Sequence, residues 1–375
     1  MPIRINGEKG EGFMRRKMTV ILMVLVFLLT GCQNQTSKEP KSIDEETALK
    51  TVFPESYHYT GEQVVINIEK IEPGEAYFIN GTSTPMELDC IGIGRMFMPD
   101  DGTNEINMEQ KCILSKEMLG DAYMEMFLWG ENSFEYVSNK TLKYAASFGE
   151  SKRGCNYNLP LFLEKKEFSF GSDKEALEEI IKFLEEAGIH LEENYKVYTC
   201  YLDYETLREQ EAYYDMDGNK LDIGSKWEWS EADNAYLFYI HQAYCNLEDY
   251  KCGKKWKPKV EIYNAQIKVI YTSDGIAEMV VRDLSTYSMG STKEQLLDFE
   301  TIIQNIISHY EYILGNSLYE ITSAQLICDV KTPNSDMPGE IIPVWEFEVT
   351  EKTEGGLEMH YEQRFNAITG EKMEH

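Results

Sequence analysis

Basic residues are scarce in this chain. Lysine and arginine number 36 against 65 aspartates and glutamates, a formal net charge of −29. A surface this acidic repels nucleic acid and anionic lipid headgroups, so no nucleic-acid partner is expected. Metal and redox spacings are missing as well. No C-x-x-C pair occurs among the eight cysteines, and no two of the six histidines form H-E-x-x-H. G-x-S-x-G, a Walker loop and a strand-following G-x-G-x-x-G are absent too, which removes the nucleophile elbow and the phosphate cradle. No cofactor is therefore expected. Apolar runs are short. Val20–Leu29 is unbroken but spans ten residues, where a bilayer-crossing helix needs about 20.

That short run has a different use. Arg15, Arg16 and Lys17 precede it, and Leu29-Thr30-Gly31-Cys32 closes it. A positive n-region, an apolar h-region and small residues at the cut are the parts of an export signal. The pattern resembles the bacterial lipoprotein signal family, in which the cysteine thiol takes a diacylglycerol and becomes the new N-terminus. The resemblance implies lipidation of Cys32 and residence on the cell membrane, facing outside. Acyl chains contribute about 0.8 kcal/mol per buried CH₂, and stable anchoring takes two such signals. Residues 1–13 hold Gly7, Gly10, Gly12, Glu8 and Glu11, which suit no n-region. Lys9-Gly10-Glu11 can be encoded by a purine-rich ribosome-binding sequence, so Met14 is expected as the true start.

Beyond the signal, 42% apolar content and 24 tyrosines indicate folded material. The acidity would attract cations or a basic partner, and its plainest use is solubility. With Cys32 lipidated, the remaining cysteines are odd in number and cannot all pair within one chain. Cys245 and Cys252 could close a small loop in an oxidising compartment. Cys200 and Cys328 lie in apolar strand-like runs and read as core thiols.

Hydrophobic periodicity divides the rest. After a signal at 1–31 comes a polar tether at 32–42, then an N-terminal region at 43–165. Gln63–Ile71, Met86–Ile93 and Phe134–Ala146 read as strands, and Ser115–Trp129 leans to helix. A middle module at 166–288 opens with Ser172 and Glu175 at capping-box spacing. Leu177, Ile180, Ile181, Leu184 and Ala187 then recur at helical spacing, and Gly188 stops the helix. Lys196–Tyr204 reads as a strand and Asp203–Tyr214 as a second helix. Ala235–Cys245, Val260–Tyr271 and Ile276–Leu284 are further strands, the last two joined by the turn Thr272-Ser273-Asp274-Gly275. A C-terminal module at 289–375 repeats the grammar. Ser291 and Glu294 again have capping-box spacing, Leu296 to Ile307 form an apolar face, and the helix is expected to end near Leu314-Gly315. Strands at Leu318–Val330, Ile341–Thr350 and Glu358–Asn366 follow. The expected class is α+β, with helices packed on antiparallel meanders and two unequal units in tandem.

Pro343-Val344-Trp345-Glu346-Phe347-Glu348-Val349, followed by Phe365-Asn366-Ala367-Ile368-Thr369-Gly370-Glu371, resembles the closing strands of a PepSY-type module. That family has a Pro-x-Trp strand and a tight D-A-x-T-G-E turn. Asn366 stands here for the usual Asp, and both tolerate such turns. The whole chain, including Leu296-Leu297-Asp298-Phe299-Glu300, resembles uncharacterised lipoproteins of Gram-positive gut bacteria. Similar modules occur in extracytoplasmic regulators of a cell-wall sensor kinase. The resemblance implies a binding or inhibitory role at the envelope, with a protein or peptide partner, rather than catalysis. A solute-binding lipoprotein and an enzyme acting on cell-wall polymers are the alternatives.

Two constellations invite a chemical reading. Asp215, Asp217, Gly218, Asn219 and Asp222 suggest a calcium loop, but the glycine falls one place early and position 226 is Lys instead of the bidentate Glu. A hairpin or helix-exit turn is the expectation, with no metal. Trp227 and Trp229 flank Glu228 and would share one face of a strand, where core packing is favoured over a sugar or peptide grip.

Overall fold

A computed structural model describes residues 52–373 except 73, 98–103, 108–111, 116–123, 131–132, 151–155, 216–217, 249–264, 314 and 332–337. Its elements follow in chain order. The first strands are β1 (Tyr57–Thr60), β2 (Val64–Ile68) and β3 (Tyr77–Pro85), and α1 (Cys90–Phe97) comes next. Four strands follow: β4 (Asn104–Asn107), β5 (Cys112–Ser115), β6 (Met124–Gly130) and β7 (Ser133–Ser138). Helices α2 (Asn139–Ala145) and α3 (Asp173–Glu186) lead to β8 (Lys196–Leu202) and α4 (Tyr204–Gln210). Then come β9 (Ala235–His241), the short β10 (Ala243–Tyr244) and β11 (Leu247–Glu248), β12 (Ile267–Thr272) and β13 (Gly275–Val281). The chain closes with β14 (Ser285–Gln295), α5 (Phe299–Glu311), β15 (Leu318–Lys331), β16 (Gly339–Lys352) and β17 (Glu358–Asn366). The fold is α+β and mostly β.

These strands form two large sheets. One has the order β1-β2-β15-β16-β3-β14, with β17 also on β16. The other runs β4-β5-β6-β7-β13-β12-β9-β8. Among the described residues only β2 with β15 pairs in parallel within these sheets; the other described pairs are antiparallel. Residues 43–165 thus supply strands to both sheets, and the sequence boundaries at 165 and 288 are not sheet boundaries. Glu45–His375 is one compact unit. Periodicity along the chain marks a strand but not its partner, and β2 finds β15 from the other end of the sequence.

In the first sheet, α5 lies on one face. Phe299, Ile302, Ile303, Ile306, Ile307 and Tyr310 are buried, against Val64, Ile66, Ile321, Trp345, Phe347 and Val349. Burying each such side chain contributes about 1.5–3 kcal/mol. The helix starts later than the Ser291 spacing predicts. Ser291 lies inside β14, and the backbone stays tied to its neighbours through Leu296 N–H to the Ala76 carbonyl (3.0 Å) and Leu297 N–H to that of Ala367 (2.9 Å). Asp298 is the true cap, its carboxylate accepting from the Thr301 N–H at 2.8 Å.

The second sheet is covered on both faces. Ala176, Ile180 and Leu184 of α3 pack with Tyr236, Phe238, Ile240, Val269 and Met279. The other face packs Leu237, Tyr239, Cys200, Leu202 and Ile270 against Tyr144, Phe148, Phe162 and Leu207. This explains why β9 is an unbroken apolar run: every one of its residues is buried. The capping box at Ser172 is formed in full, with Ser172 and Glu175 bonded reciprocally. The hairpin of β12 and β13 turns at Thr272–Gly275 as expected.

Three further sequence expectations are corrected. Met86–Ile93 is not a strand, since α1 begins at Cys90. Within Ser115–Trp129, the described residues are strand and not helix: Ser115 ends β5, and Met124–Trp129 lie in β6, which pairs with β7. Phe134–Ala146 is a strand only to Ser138 and a helix thereafter. Mixed apolar patterns of six to eight residues do not separate helix from strand, and sheet partners decided each case.

Candidate functional site

Cys32, the proposed lipid site, and the tether at 32–42 lie outside the described residues, as do Asp217, Cys252 and His375. The remaining calcium-loop residues form a turn. Tyr214 bridges Lys220, and the Asp215 carboxylate accepts from the Asn219 backbone N–H at 2.8 Å. Asp222 stands exposed on the strand of chain beyond. Among the described residues no three His, Cys, Asp or Glu side chains converge as metal ligands do.

Trp227 and Trp229 are not in a strand; residues 221–229 have no regular structure. What organises them is Glu211, the first residue past α4. Its backbone leaves the helix at φ −55° and ψ 118°, which turns the side chain back under the following loop. Oε1 accepts from the Lys226 N–H (2.6 Å) and the Tyr213 hydroxyl (2.7 Å). Oε2 accepts from the Trp229 indole N–H (2.8 Å) and the Ser225 hydroxyl (2.5 Å). Desolvation works to raise this carboxyl, but the four donors outweigh it and hold it down at about 2. Trp229 is half-buried against the second sheet's helical layer, with the Lys143 ammonium 4.6 Å from its ring centre. Trp227 is exposed. The expectation of core packing therefore holds only in part for Trp229, which is half-buried against that cluster, and not for Trp227.

The second cluster lies within the eight-stranded sheet. Lys268 interrupts the apolar run of β12 on the face of Ile270. Its ammonium meets Glu150 at 2.5 Å and Glu278 of β13 at 3.1 Å. Lys268 pairs with Val280 and Ile270 with Glu278, so the ion pair is the diagonal contact of two antiparallel strands. Burial alone would lower Lys268, yet the two carboxylates raise it to about 12. Burial raises Glu278 against the pull of Lys268. Nearby Cys200 is pushed up to about 12, chiefly by burial. Its thiol stays protonated at neutral pH and is not activated for attack. Sequence reading passed over these groups, although a Lys and a Glu in adjacent two-sided apolar strands was a signal for a buried pair.

The residues of the PepSY-like resemblance lie on the paired strands β16 and β17 of the first sheet and the turn that follows. Trp345 is fully buried, its ring 5.0 Å from Phe299 and 5.6 Å from Phe53. On the opposite face, Arg364 of β17 spans Glu346 (2.9 Å) and Asp329 (3.1 Å). In the turn, Asn366 Oδ1 accepts from the N–H groups of Ile368 and Thr369, both at 2.8 Å. Gly370 has φ +72°, and its carbonyl accepts from Asn305 of α5 at 2.8 Å. The turn thus ties the last strand to the helix.

The histidines stay apart. His241 is buried with Tyr198 edge-on at 5.5 Å, His309 contacts Lys372 and His360 contacts Thr350. Cys200 and Cys328 are buried thiols, as expected. Cys245 has φ 49° and Asn246 φ 65°, so these two residues make the tight turn between β10 and β11.

No protein-family model matches the chain, and no curated protein matches it. A solved structure does share the fold. It is the crystal structure of an uncharacterized protein from Eubacterium rectale ATCC 33656 at 1.45 Å resolution, with a TM-score of 0.58 and 14% identity. The alignment covers 88% of this chain and 99% of that one. At that identity the likeness speaks for the fold alone.

Proposed function

We propose that this protein is a lipid-anchored lipoprotein on the outer side of the cell membrane, acting without catalysis by binding a protein or peptide partner at the envelope. The carrying observation is Leu29-Thr30-Gly31-Cys32 at the end of a ten-residue apolar run behind Arg15, Arg16 and Lys17. The described clusters support binding over chemistry. Glu211 spends both oxygens on its own loop, and Lys268 is held protonated between two carboxylates. The antiparallel sheets also fit a helix-on-meander module better than the βαβ lobes of a solute-binding protein. A regulatory role toward a membrane kinase or protease is the form this binding would take.

Metabolic labelling with an alkyne fatty acid tests the anchor. The wild-type chain should carry label and sediment with membranes, and Cys32→Ser should do neither. An unlabelled wild type, or a membrane-bound Cys32→Ser, overturns it. For the partner, mature chain from residue 33 onward is used as bait on detergent-solubilised envelope. Any recovered protein is then purified and titrated against the bait. Saturable binding supports the reading, and failure to recover or titrate any partner counts against it.

A further inference from the structure

The segment after α4 displays apolar side chains where water would ordinarily favour polar ones. Leu221, Ile223 and Trp227 are 41%, 47% and 37% exposed, within seven residues of one another. They are not on a loose strand of chain. Glu211 fastens Ser225, Lys226 and Trp229 from below, and the Leu221 N–H donates to the Tyr213 carbonyl at 2.8 Å. Gly224 makes the bend at φ +68°, and the Lys226 ammonium caps the Tyr213 ring at 4.2 Å. A loop ordered in advance gives up little conformational entropy on binding.

Charge then says what would bind. From Asp203 to Asp233 the chain carries ten carboxylates and three basic side chains. Glu205, Glu209, Asp215, Asp222, Glu228 and Glu231 are all exposed, while Lys226 lies over Tyr213. Exposed apolar side chains in a segment with this excess of carboxylates, Arg208 and Lys220 included in the count, call for a partner of the opposite pattern. Tryptophan is also a residue type over-represented at binding hot spots.

We propose that Leu221, Ile223 and Trp227 form a docking surface for a basic segment of a protein partner, one with apolar side chains set between lysines or arginines. This rests on the partner-binding reading above and names its site.

The probe is a fluorescent twelve-residue peptide of lysine and leucine with one phenylalanine, titrated against the mature chain by anisotropy. Its glutamate-for-lysine counterpart is the charge control. The test variant is Leu221→Ser/Ile223→Ser/Trp227→Ser. The comparison variant is Leu357→Ser/Met359→Ser, which removes apolar side chains at least as exposed as most of these, beside Glu354 and Glu358 at the β16–β17 turn. Since all five positions are exposed, both variants should fold, and unchanged circular dichroism checks that. The triple variant should weaken the lysine peptide by roughly tenfold or more. The comparison variant should change it less than about twofold, and the glutamate peptide should not bind. Equal binding by the triple variant and the wild type would reduce the effect to bulk charge and overturn the assignment. So would an absence of binding by the wild type. Failure here is separable from failure of the broader reading. A purified envelope partner that binds the triple variant unchanged removes this surface and keeps the function. If no partner is found, the function falls whatever the peptide does.

Discussion

Glutamate 211 gives the sharpest test of how the exposed loop is built. Replacing it with glutamine keeps size and shape but changes half of the acceptors into donors. Each carboxylate oxygen now takes two hydrogen bonds, from Lys226 and Tyr213 on one side and Trp229 and Ser225 on the other. The amide nitrogen must face one of these pairs, and the backbone or indole N–H there has no second acceptor in the site. A carboxyl held near 2 instead of 4.5 represents ~3 kcal/mol at 1.36 kcal/mol per pH unit. The group is partly open to water, and screening brings this to ~1–2 kcal/mol, in line with the cost of an unmade hydrogen bond. The loop sits outside both sheets, so the loss should appear as local opening. Hydrogen exchange at the Lys226 amide, at pH 7, should speed up about tenfold in Glu211→Gln, while the urea midpoint moves little. The folded-state pKa is depressed, so this stabilisation is full above about 4.5 and is lost as pH falls toward 2. Wild type should therefore lose its advantage over Glu211→Gln on acidification. Lys226 exchange within twofold of wild type at pH 7 would refute the account.

Three further outcomes follow from the packing. Trp345→Ala, in a site enclosed by Phe53, Phe299 and Phe347, should cost about 3–5 kcal/mol in urea unfolding. Gly370→Ala would place a methyl 2.6 Å from Asn305 Nδ2 at φ +72°, and should cost about 1–2 kcal/mol, read as a lower melting temperature. Lys268→Met strands Glu150 and Glu278 without their cation and should cost about 3 kcal/mol at pH 7. Because burial raises Glu278, that penalty should shrink on acidification as the carboxyl takes a proton, which urea titrations at neutral and acidic pH would show.

Much of the fold was written in local pattern, and the strongest patterns were the most faithful. The C-terminal strand Glu358–Asn366 has the bounds its alternation implies. Helix α3 has the cap that Ser172 and Glu175 imply, because a capping box is made by four neighbouring residues and needs no distant partner. The same spacing at Ser291 misled, because β3 and Ala367 claimed that backbone first. The site was less legible. Glu211 carries no motif, and its importance exists only once four donors from residues 213 to 229 fold around it. Lys268 and Glu278 were visible as charges in apolar strands, yet Glu150 comes from another segment altogether.

Charge, α+β class and most helix and strand positions follow from sequence, since each depends on composition or on residues a few places apart. Which strands share a sheet, which tryptophan packs against the core and which carboxylates meet a cation were decided by tertiary structure. Those outcomes depend on burial and on hydrogen-bond partners that only the folded chain brings within reach.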